Sequence, residues 1–325
     1  MAGTATKERL VRMLAENRGS YLSGSRIAEQ LGITRAAVWK QIRSLMAEGY
    51  EIDAVTNRGY CLGDRSDVIT KEGLLAALGP EGARYTLEVH DSITSTNTVL
   101  KERAESLPDW YVIVSGRQTA GRGRIGRSFY SPEATGIYLS VLLRPDLPAE
   151  QSVRITTAAA VAACRAIEET TDRTPGIKWV NDVFVEGRKV CGILTEGSLN
   201  LETGGLDWVV MGIGFNVYEP EGGFPEEIRE IAGPVAAERA GDLRVHLAGS
   251  FLRHFGKVCD SLAEASFAEE YRKRSIVTGQ NILVLRNGQE IPAFAEGIDG
   301  ECRLRVRYAD GREELLSSGE VSIRL

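Results

Sequence analysis

A basic, glycine-rich segment in the first half of the chain limits the possible folds most. The sequence GRQTAGRGRIGRSFYSPEATG (116–136) contains four arginines and five glycines. It is too basic for a buried turn and too rich in glycine for a helix. The apolar runs on either side, WYVIVSGRQ and GIYLSVLLRP, are typical of strands. The chain is therefore predicted to place a basic loop between two strands.

The composition of this loop indicates an anion site. Backbone N–H groups exposed by glycine, together with arginine side chains, form a cradle for an anion. A disordered segment that wraps nucleic acid is one interpretation, but this loop is short, lies between strands and ends in SFYSP. No Walker A sequence occurs, and no helix is predicted directly after the loop, which excludes a dinucleotide fingerprint. We therefore expect a loop that orders around a phosphate or carboxylate of a small ligand.

The chain beyond this loop alternates strands with a few helices. EQSVRITTAAAVAACRAIEETT is predicted to form a long helix with small residues on one face. GIKWVNDVFVEGRKVCGILTEG reads as a strand and a hairpin with Glu186 and Gly187 at the turn, and LDWVVMGIGFNV as a further strand. By strand alternation, Lys189 should share a face with Cys191 and Ile193. Hairpin-linked strands predict an α+β fold with a central mixed α/β domain.

The first part of the chain has the pattern of a winged helix-turn-helix. SGSRIAEQLG predicts a short helix capped by Ser23 and closed by Gly32, and ITRAAVWKQIRSLMAEG predicts a second helix that begins after Thr34. YEIDAVTNRGYCL then predicts a two-stranded wing. The polar stretch GDRSDVIT (63–70) reads as a linker.

The charge of this region supports an interaction with DNA. Residues 1–62 hold nine Lys and Arg against six Asp and Glu, a net charge of +3, which leaves −9 on the rest of a chain with net charge −6. A three-helix cap with a solvated charged face remains the alternative. The second helix would enter a major groove, where its basic side chains could meet phosphate or guanine, and Arg58 of the wing would meet phosphate. The predicted DNA-binding residues are Thr34, Arg35, Ala36, Lys40, Arg43 and Arg58.

Composition also limits the location of the protein and the kinds of site that it can contain. The five cysteines are scattered without metal-ligand spacing, so we expect free thiols in a reducing cytoplasm and no metal site built by the protein alone. The apolar run Ala158 to Ala163 is too short to span a bilayer, and the N-terminus lacks the apolar core of a signal peptide. We therefore expect a cytoplasmic protein without a membrane partner.

Five segments together carry a resemblance to a known family. GRQTAGRGRIGRSFYSP and KWVNDVFVEGRKVCGILTE resemble the two most specific segments of biotin protein ligases, and TSTNT (94–98) is similar to the family's Ser-Thr-Asn substrate segment. The N-terminal region resembles the winged helix of the bifunctional ligases that also repress biotin genes. The tail is similar to the small SH3-like β-barrel that closes them. The resemblance covers essentially the whole chain and implies domains at 1–65 (winged helix), 66–274 (catalytic) and 275–325 (barrel).

The resemblance implies an ATP- and Mg²⁺-dependent ligase. Biotin and ATP would give biotinyl-5′-adenylate and pyrophosphate, and the acyl group would then pass to a lysine of a biotin carboxyl carrier protein domain. Such chemistry needs cations and positioning rather than an enzyme nucleophile. The adenylate would also favour a homodimer that binds a two-fold operator DNA.

The family's site residues carry over position by position. Lys189 and Arg124 match the catalytic cations, and Asp182 is the candidate for holding Mg²⁺ or adenine. The implied biotin-binding residues are Ser95, Thr96, Asn97, Gln118, Gly121, Arg122, Gly123, Arg124, Lys189 and Gly192. The implied nucleotide-binding residues are Arg124, Lys178, Trp179, Asn181, Asp182, Lys189 and Asn216.

Alternatives stay open at the level of the residues and of the molecule. Ser95 and Thr96 could cap a helix, Asp182 could orient a neighbour, and Trp179 could belong to the core. A ligase for lipoate or another acyl acid, or a transcription factor that only senses a small molecule, would use a similar scaffold. One position departs from the family pattern, because Val180 stands where Pro is common; Val supplies an N–H and removes the stiffness of Pro before Asp182.

Overall fold

The computed structural model describes residues 2–63, 66–200, 202–239, 241–286, 288–317 and 319–323. The chain forms two compact units. The first unit contains Met1–Arg84 and Glu238–Ser250, and the second contains Tyr85–Ala237 and Phe251–Leu325. In the described residues, no helix combines the length and the apolar character needed to cross a membrane.

The first unit contains the predicted helix-turn-helix and wing. Its elements are α1 (Ala2–Glu16), α2 (Gly24–Leu31), α3 (Arg35–Ala47), β1 (Ile52–Val55), β2 (Gly59–Leu62) and α4 (Lys71–Leu78). β1 and β2 pair as an antiparallel hairpin. Apolar side chains from each of the first three helices form one core, which includes Leu10, Leu14, Ile27, Val38, Ile42 and Leu45.

The caps of α2 and α3 confirm the sequence prediction. The Ser23 hydroxyl accepts a hydrogen bond from the backbone N of Arg26 at 3.2 Å, and the Thr34 hydroxyl accepts one from the backbone N of Ala37 at 3.2 Å. Gly32 ends α2 at φ 66°. The turn between the two helices is therefore fixed by the chain's own capping residues.

The predicted linker contains two buried residues. Ser66 and Asp67 are only 1% and 8% exposed, and residues 64 and 65 lie outside the described residues. The Asp67 carboxylate accepts a hydrogen bond from Nε of Arg244 at 2.9 Å, and Arg18 pairs with Asp242. The chain just after the wing is thus tied to the second stretch of the same unit.

The second unit is built on a seven-stranded sheet of order β3-β4-β5-β9-β8-β7-β6. Its strands are β3 (Thr86–His90), β4 (Tyr111–Ser115), β5 (Gly136–Leu143), β6 (Gly176–Lys178), β7 (Asp182–Val185), β8 (Arg188–Leu199) and β9 (Leu206–Asn216). Only β3 and β4 pair in parallel; the other neighbours are antiparallel. The helices are α5 (Thr96–Glu102), α6 (Val153–Thr170), α7 (Leu243–Cys259, which begins in the first unit) and α8 (Ala268–Lys273). The predicted mixed α+β fold is confirmed.

The chain ends in a second sheet. Its strands β10 (Asn281–Arg286), β11 (Gln289–Ile298), β12 (Leu304–Tyr308), β13 (Glu313–Leu316) and β14 (Glu320–Ile323) have the order β13-β12-β11-β10-β14. All neighbours are antiparallel. Across its described residues this sheet is open, with β13 and β14 at its ends, and the SH3-like barrel stays a prediction.

Candidate functional site

Two adjoining clefts lie beside the glycine- and arginine-rich loop. Both are open: the space in and directly above them is about 450 Å³ for the first and about 580 Å³ for the second, open solvent included. The first is lined by Ser95, Thr96, Asn97, Gln118, Arg122, Gly123, Arg124, Asn181, Lys189 and Gly192. The second is lined by Arg124, Lys178, Trp179, Asn181, Asp182 and Lys189. The two remaining candidates, Gly121 and Asn216, line a wider neighbouring cavity. The candidate residues thus converge on one region, and their roles stay predictions.

The N-terminal end of α5 forms one wall of the first cleft. The Ser95 hydroxyl caps the helix by accepting from the backbone N of Thr98 at 3.4 Å. The backbone N of Thr96 donates to Oε1 of Gln118 at 2.9 Å, and Nε2 of Gln118 donates to the hydroxyl of Ser131 at 3.0 Å. The capping role considered for Ser95 is therefore present, and the hydrogen bonds also fix the orientation of the Gln118 amide.

Asn97 lies buried beneath this wall with both ends of its amide engaged. Its Oδ1 is 2.6 Å from the Ser140 hydroxyl, which must donate because the oxygen only accepts. Its Nδ2 donates to the carbonyl of Leu194 at 3.2 Å and to Oε2 of Glu196 at 3.1 Å. Both amide hydrogens are thus in use, so a ligand would find only the second lone pair of Oδ1.

Three glycines on the sheet leave room for the side chains that shape the cleft. A Cβ at Gly212 would lie 1.9 Å from Oδ1 of Asn97. A Cβ at Gly214 would lie 2.6 Å from the Phe129 ring, and one at Gly192 would lie 2.9 Å from the same ring. Gly192 and Gly214 are paired on neighbouring strands β8 and β9. The sheet can therefore hold Asn97 and Phe129 only because these positions lack side chains.

Glu196 collects three partners at the edge of the first cleft. Its carboxylate accepts from Lys101 at 2.7 Å and from Asn97 at 3.1 Å, and it lies 3.2 Å from Nη1 of Arg122. Burial raises the pKa of this carboxyl. The hydrogen bonds from Lys101 and Asn97 and the charges of Lys101 and Arg122 lower the pKa by more than burial raises it, so the net shift is downward. Glu196 is therefore ionised at neutral pH.

Arg124 and Lys189, which line both clefts, also have partners within the chain. Nη1 of Arg124 donates to Oδ1 of Asn181 at 3.0 Å, and Nδ2 of Asn181 donates to the carbonyl of Ile193 at 2.9 Å. Nζ of Lys189 lies 2.7 Å from Oδ1 of Asp182. Positive charge thus lines the junction of the two clefts, where it can stabilise an anionic ligand.

The predicted orientation of Lys189 is wrong. The pairing of β7 with β8 skips one residue, because Val183 faces Cys191 while Phe184 faces Lys189. This bulge turns Lys189 to the face of Gly192, where a Cβ would lie 3.2 Å from Nζ of Lys189, while Cys191 is fully buried. An extra residue in one strand reverses the alternation that the sequence pattern assumes.

The backbone of Lys189 is held by the segment that follows β9. Its N–H donates to the carbonyl of Ile231 at 2.7 Å. Its carbonyl accepts from the backbone N of Gly233 at 3.0 Å and from Nδ2 of Asn216 at 3.3 Å. The loop after β9 therefore fixes the position of the central lysine.

The corner before Asp182 packs into the protein. The indole N–H of Trp179 donates to the carbonyl of Cys302 at 2.9 Å, and the ring is only 3% exposed. The carbonyl of Val180 accepts from the hydroxyl of Tyr271 at 3.0 Å, and the peptide bond between Trp179 and Val180 is cis. Trp179 is thus both a core residue and part of the wall of the second cleft.

The first unit presents the predicted DNA-binding residues on its surface. Thr34, Arg35, Ala36, Lys40, Arg43 and Arg58 are all exposed. The guanidinium of Arg43 lies 5.6 Å from the ring centre of Trp39, and that of Arg58 lies 4.1 Å from the ring centre of Tyr21. Trp39 is 57% exposed, although Val38, Ile42 and Leu45 of the same helix are buried in the core of the first unit. Aromatic rings therefore support two of the candidate arginines.

Several residues of the site were missed by the sequence reasoning. Phe129, Ser140, Glu196, Gly212 and Gly214 shape the cleft or hold its lining residues. The only available signal was the alternation of glycine in MGIGFN, which indicates that something packs closely against alternate positions of a strand.

The comparisons with known proteins agree with this geometry. Residues 89–216 match the model of the Biotin/lipoate A/B protein ligase family, residues 6–61 match an HTH domain, and residues 277–324 match the Biotin protein ligase C terminal domain. The chain is 36% identical to the bifunctional ligase/repressor BirA of Bacillus subtilis over 233 residues, 71% of each protein. It is 27% identical to that of Escherichia coli over 97% of this chain and 96% of the relative.

A solved structure extends the similarity to the fold. The biotin protein ligase from Aquifex aeolicus, in complex with biotin and ATP, is similar with a TM-score of 0.62 and 27% identity, over 74% of this chain and 98% of that one. On these relationships, the chain belongs to the biotin/lipoate A/B protein ligase family, as a biotin protein ligase of the bifunctional ligase/repressor type.

Proposed function

We propose that this chain is an ATP-dependent biotin protein ligase that also acts as a biotin-responsive repressor. A carboxylate oxygen of biotin attacks the α-phosphorus of ATP, and pyrophosphate leaves. The amine of a carrier lysine then attacks the carbonyl carbon of the biotinyl-adenylate, and AMP leaves. The observation that carries this proposal is that Arg124 and Lys189 line both adjoining clefts while Arg122 lines the first.

The cations make the first step possible because both reactants are negatively charged. Lys189 and Arg124 line both clefts, so each can face the carboxylate and the α-phosphate at once. Charge that builds up on the phosphoryl oxygens is stabilised by donors already in place. Positioning of the two reactants supplies the remainder, and no enzyme nucleophile is required.

The first cleft is the proposed biotin site. Its wall offers hydroxyl and amide groups that suit the ureido ring of biotin, contributed by Ser95, Thr96, Asn97 and Gln118. Gly121, Gly123 and Gly192 let the backbone approach the ligand closely. Arg122 and Arg124 belong to the loop that would order over the bound ligand.

The second cleft is the proposed nucleotide site, with Lys178, Trp179, Asn181 and Asp182 around the adenylate and Asn216 in the neighbouring cavity. The carboxylate of Asp182 and the amide oxygen of Asn181 are ligands that Mg²⁺ accepts, and one carboxylate with the substrate phosphates is its usual set. Bound there, Mg²⁺ would neutralise phosphate charge. Asp182 would release Lys189 as it takes up the ion.

The first unit is the proposed DNA reader. The exposed side chains at the start of α3 would contact base edges, and Arg58 of the wing would contact phosphate. An adenylate that orders the arginine loop would favour a homodimer, whose two recognition helices match a two-fold operator. We propose that residues 1–65 bind DNA, that residues 66–274 form the catalytic domain and that residues 275–325 form an SH3-like barrel. The protein would work in the cytoplasm, and its protein substrate would be a biotin carboxyl carrier protein domain.

Release of pyrophosphate tests the first step and its site. The wild-type chain with MgATP should release pyrophosphate only when biotin is added. Substitution of both Lys189→Met and Arg124→Gln should abolish this release, while operator affinity measured without biotin and ATP stays at the wild-type level. Unchanged release in the double variant would show that the site lies elsewhere.

A further inference from the structure

Glu196 lies outside the residues that the family resemblance assigns, yet it joins three parts of the site. It is on β8, and its carboxylate contacts Asn97 and Lys101 of α5 and Arg122 of the loop. We propose that Glu196 is a positioning residue: its carboxylate holds Arg122 at the mouth of the first cleft and fixes the amide of Asn97 beneath it. The contact of the Glu196 carboxylate with Arg122 is called the tether below. The consequence for biotin binding rests on the proposed function, whereas the tether does not.

The hydrogen bonds around Asn97 show how one carboxylate sets the orientation of the amide. Oδ1 of Asn97 faces the Ser140 hydroxyl at 2.6 Å, which leaves Nδ2 to donate to Leu194 and Glu196. The carboxylate accepts only, so it rejects the flipped amide, whose oxygen would point at it. Asn97 is only 4% exposed, so water cannot replace a lost acceptor at low cost.

The contact with Arg122 is suited to release rather than to permanent fixation. The side chain of Glu196 is 18% exposed, whereas that of Arg122 is 44% exposed. A partly exposed ion pair is weak and exchanges readily with another anion. Arg122 can therefore wait on Glu196 in the free protein and turn to a ligand carboxylate when one enters the cleft.

The wall of the cleft does not depend on Glu196 for its own structure. α5 is capped by Ser95, and Thr96 is bound to Gln118 through its backbone N. Removing the carboxylate should therefore loosen the loop without unfolding the helix. This separation makes the tether measurable without any ligand.

Limited digestion with trypsin, mapped by mass spectrometry, tests the tether in the free protein. In Glu196→Gln, cleavage after Arg122 should be about two- to fivefold faster than in the wild type, the range expected from loss of a partly exposed ion pair. The melting temperature should change little, because the amide oxygen of Gln can still accept from Nδ2 of Asn97. Two control variants should be cleaved at the wild-type rate. Lys101→Met keeps the contacts of Glu196 with Arg122 and Asn97, and Glu202→Gln makes the same change on an exposed turn.

A second variant guards against a folding defect in the first. Arg122→Gln leaves Glu196 in place but releases the loop from the other side, so cleavage after Arg124 and Arg127 should increase in both variants. Wild-type cleavage rates in Glu196→Gln and in Arg122→Gln would overturn the proposed tether.

The Michaelis constant for biotin tests the consequence for the site. In Glu196→Gln it should rise about fivefold or more with kcat within about twofold, because the change removes positioning rather than a reacting group. A fall in kcat at unchanged KM would contradict the positioning role. A wild-type chain without ligase activity would refute the proposed function, and the digestion would still decide on the tether.

Discussion

At the scale of single residues, three of the cations that line the clefts are each held by a partner within the chain. Arg122 lies on Glu196, Arg124 on Asn181 and Lys189 on Asp182. These partners keep the cations oriented towards the clefts. A ligand that brings a carboxylate and a phosphate has to displace them, so affinity depends on how weak these contacts are as much as on the charges.

Gly214 tests whether the floor of the cleft is as tightly packed as the geometry indicates. A Cβ there would lie 2.6 Å from the ring of Phe129, closer than carbon atoms can approach. Gly214→Ala should therefore lower the free energy of unfolding in urea by about 1–3 kcal/mol and raise the KM for biotin. Gly300→Ala, where a Cβ meets nothing within 4 Å, is the matched control and should change neither. Equal stability of the two variants would refute the close packing.

Glu88 should make the second unit sensitive to acid. Both nitrogens of a bidentate contact with Arg103 lie 3.0 Å from its carboxylate, and these hydrogen bonds lower its pKa to about 2. A carboxyl whose pKa is lower in the folded state than in the unfolded state stabilises the folded protein at pH values above its ordinary pKa. This contribution to stability is lost as the pH falls towards the pKa of the folded state. The stability difference between wild type and Glu88→Gln should therefore shrink from about pH 6 to about pH 2. A difference that stays constant would contradict this ionisation.

At the scale of elements, the wing depends on one glycine. Gly59 has φ 108°, and a Cβ there would lie 2.0 Å from the carbonyl oxygen of Leu22. Gly59→Ala should destabilise the first unit by about 1–3 kcal/mol or more and weaken operator binding, while pyrophosphate release stays at the wild-type rate. Gly32→Ala, also at positive φ but with nothing within 4 Å, should have a smaller effect on both. Undisturbed DNA binding in Gly59→Ala would separate the wing from DNA recognition.

The elements that could be predicted from the sequence are those that local chemistry determines. Ser23, Gly32 and Thr34 mark the helix ends, and Glu186 with Gly187 takes the positive φ angles of a tight hairpin turn. The bulge that turns Lys189 could not be predicted, because alternation counts positions and an extra residue leaves no mark in the pattern. Glu196 could not be assigned either, since its three partners are brought together only by the sheet and α5.

At the scale of the whole molecule, one chain combines two compact units with different surfaces. The first carries the exposed basic helix and wing, and the second carries the clefts. In our account the adenylate made in the second unit is both the intermediate of the ligase and the signal for repression. Both activities therefore depend on which acid the second unit adenylates, and we propose that this acid is biotin.

The intact mass of a purified biotin carrier domain tests this claim most directly. The domain is incubated with the full-length chain, MgATP and an equimolar mixture of biotin and lipoate, with a parallel reaction that lacks ATP. We expect a single biotinyl increment that is absent without ATP. A lipoyl increment would contradict the assignment of the pocket, and no increment of either kind would contradict the ligase.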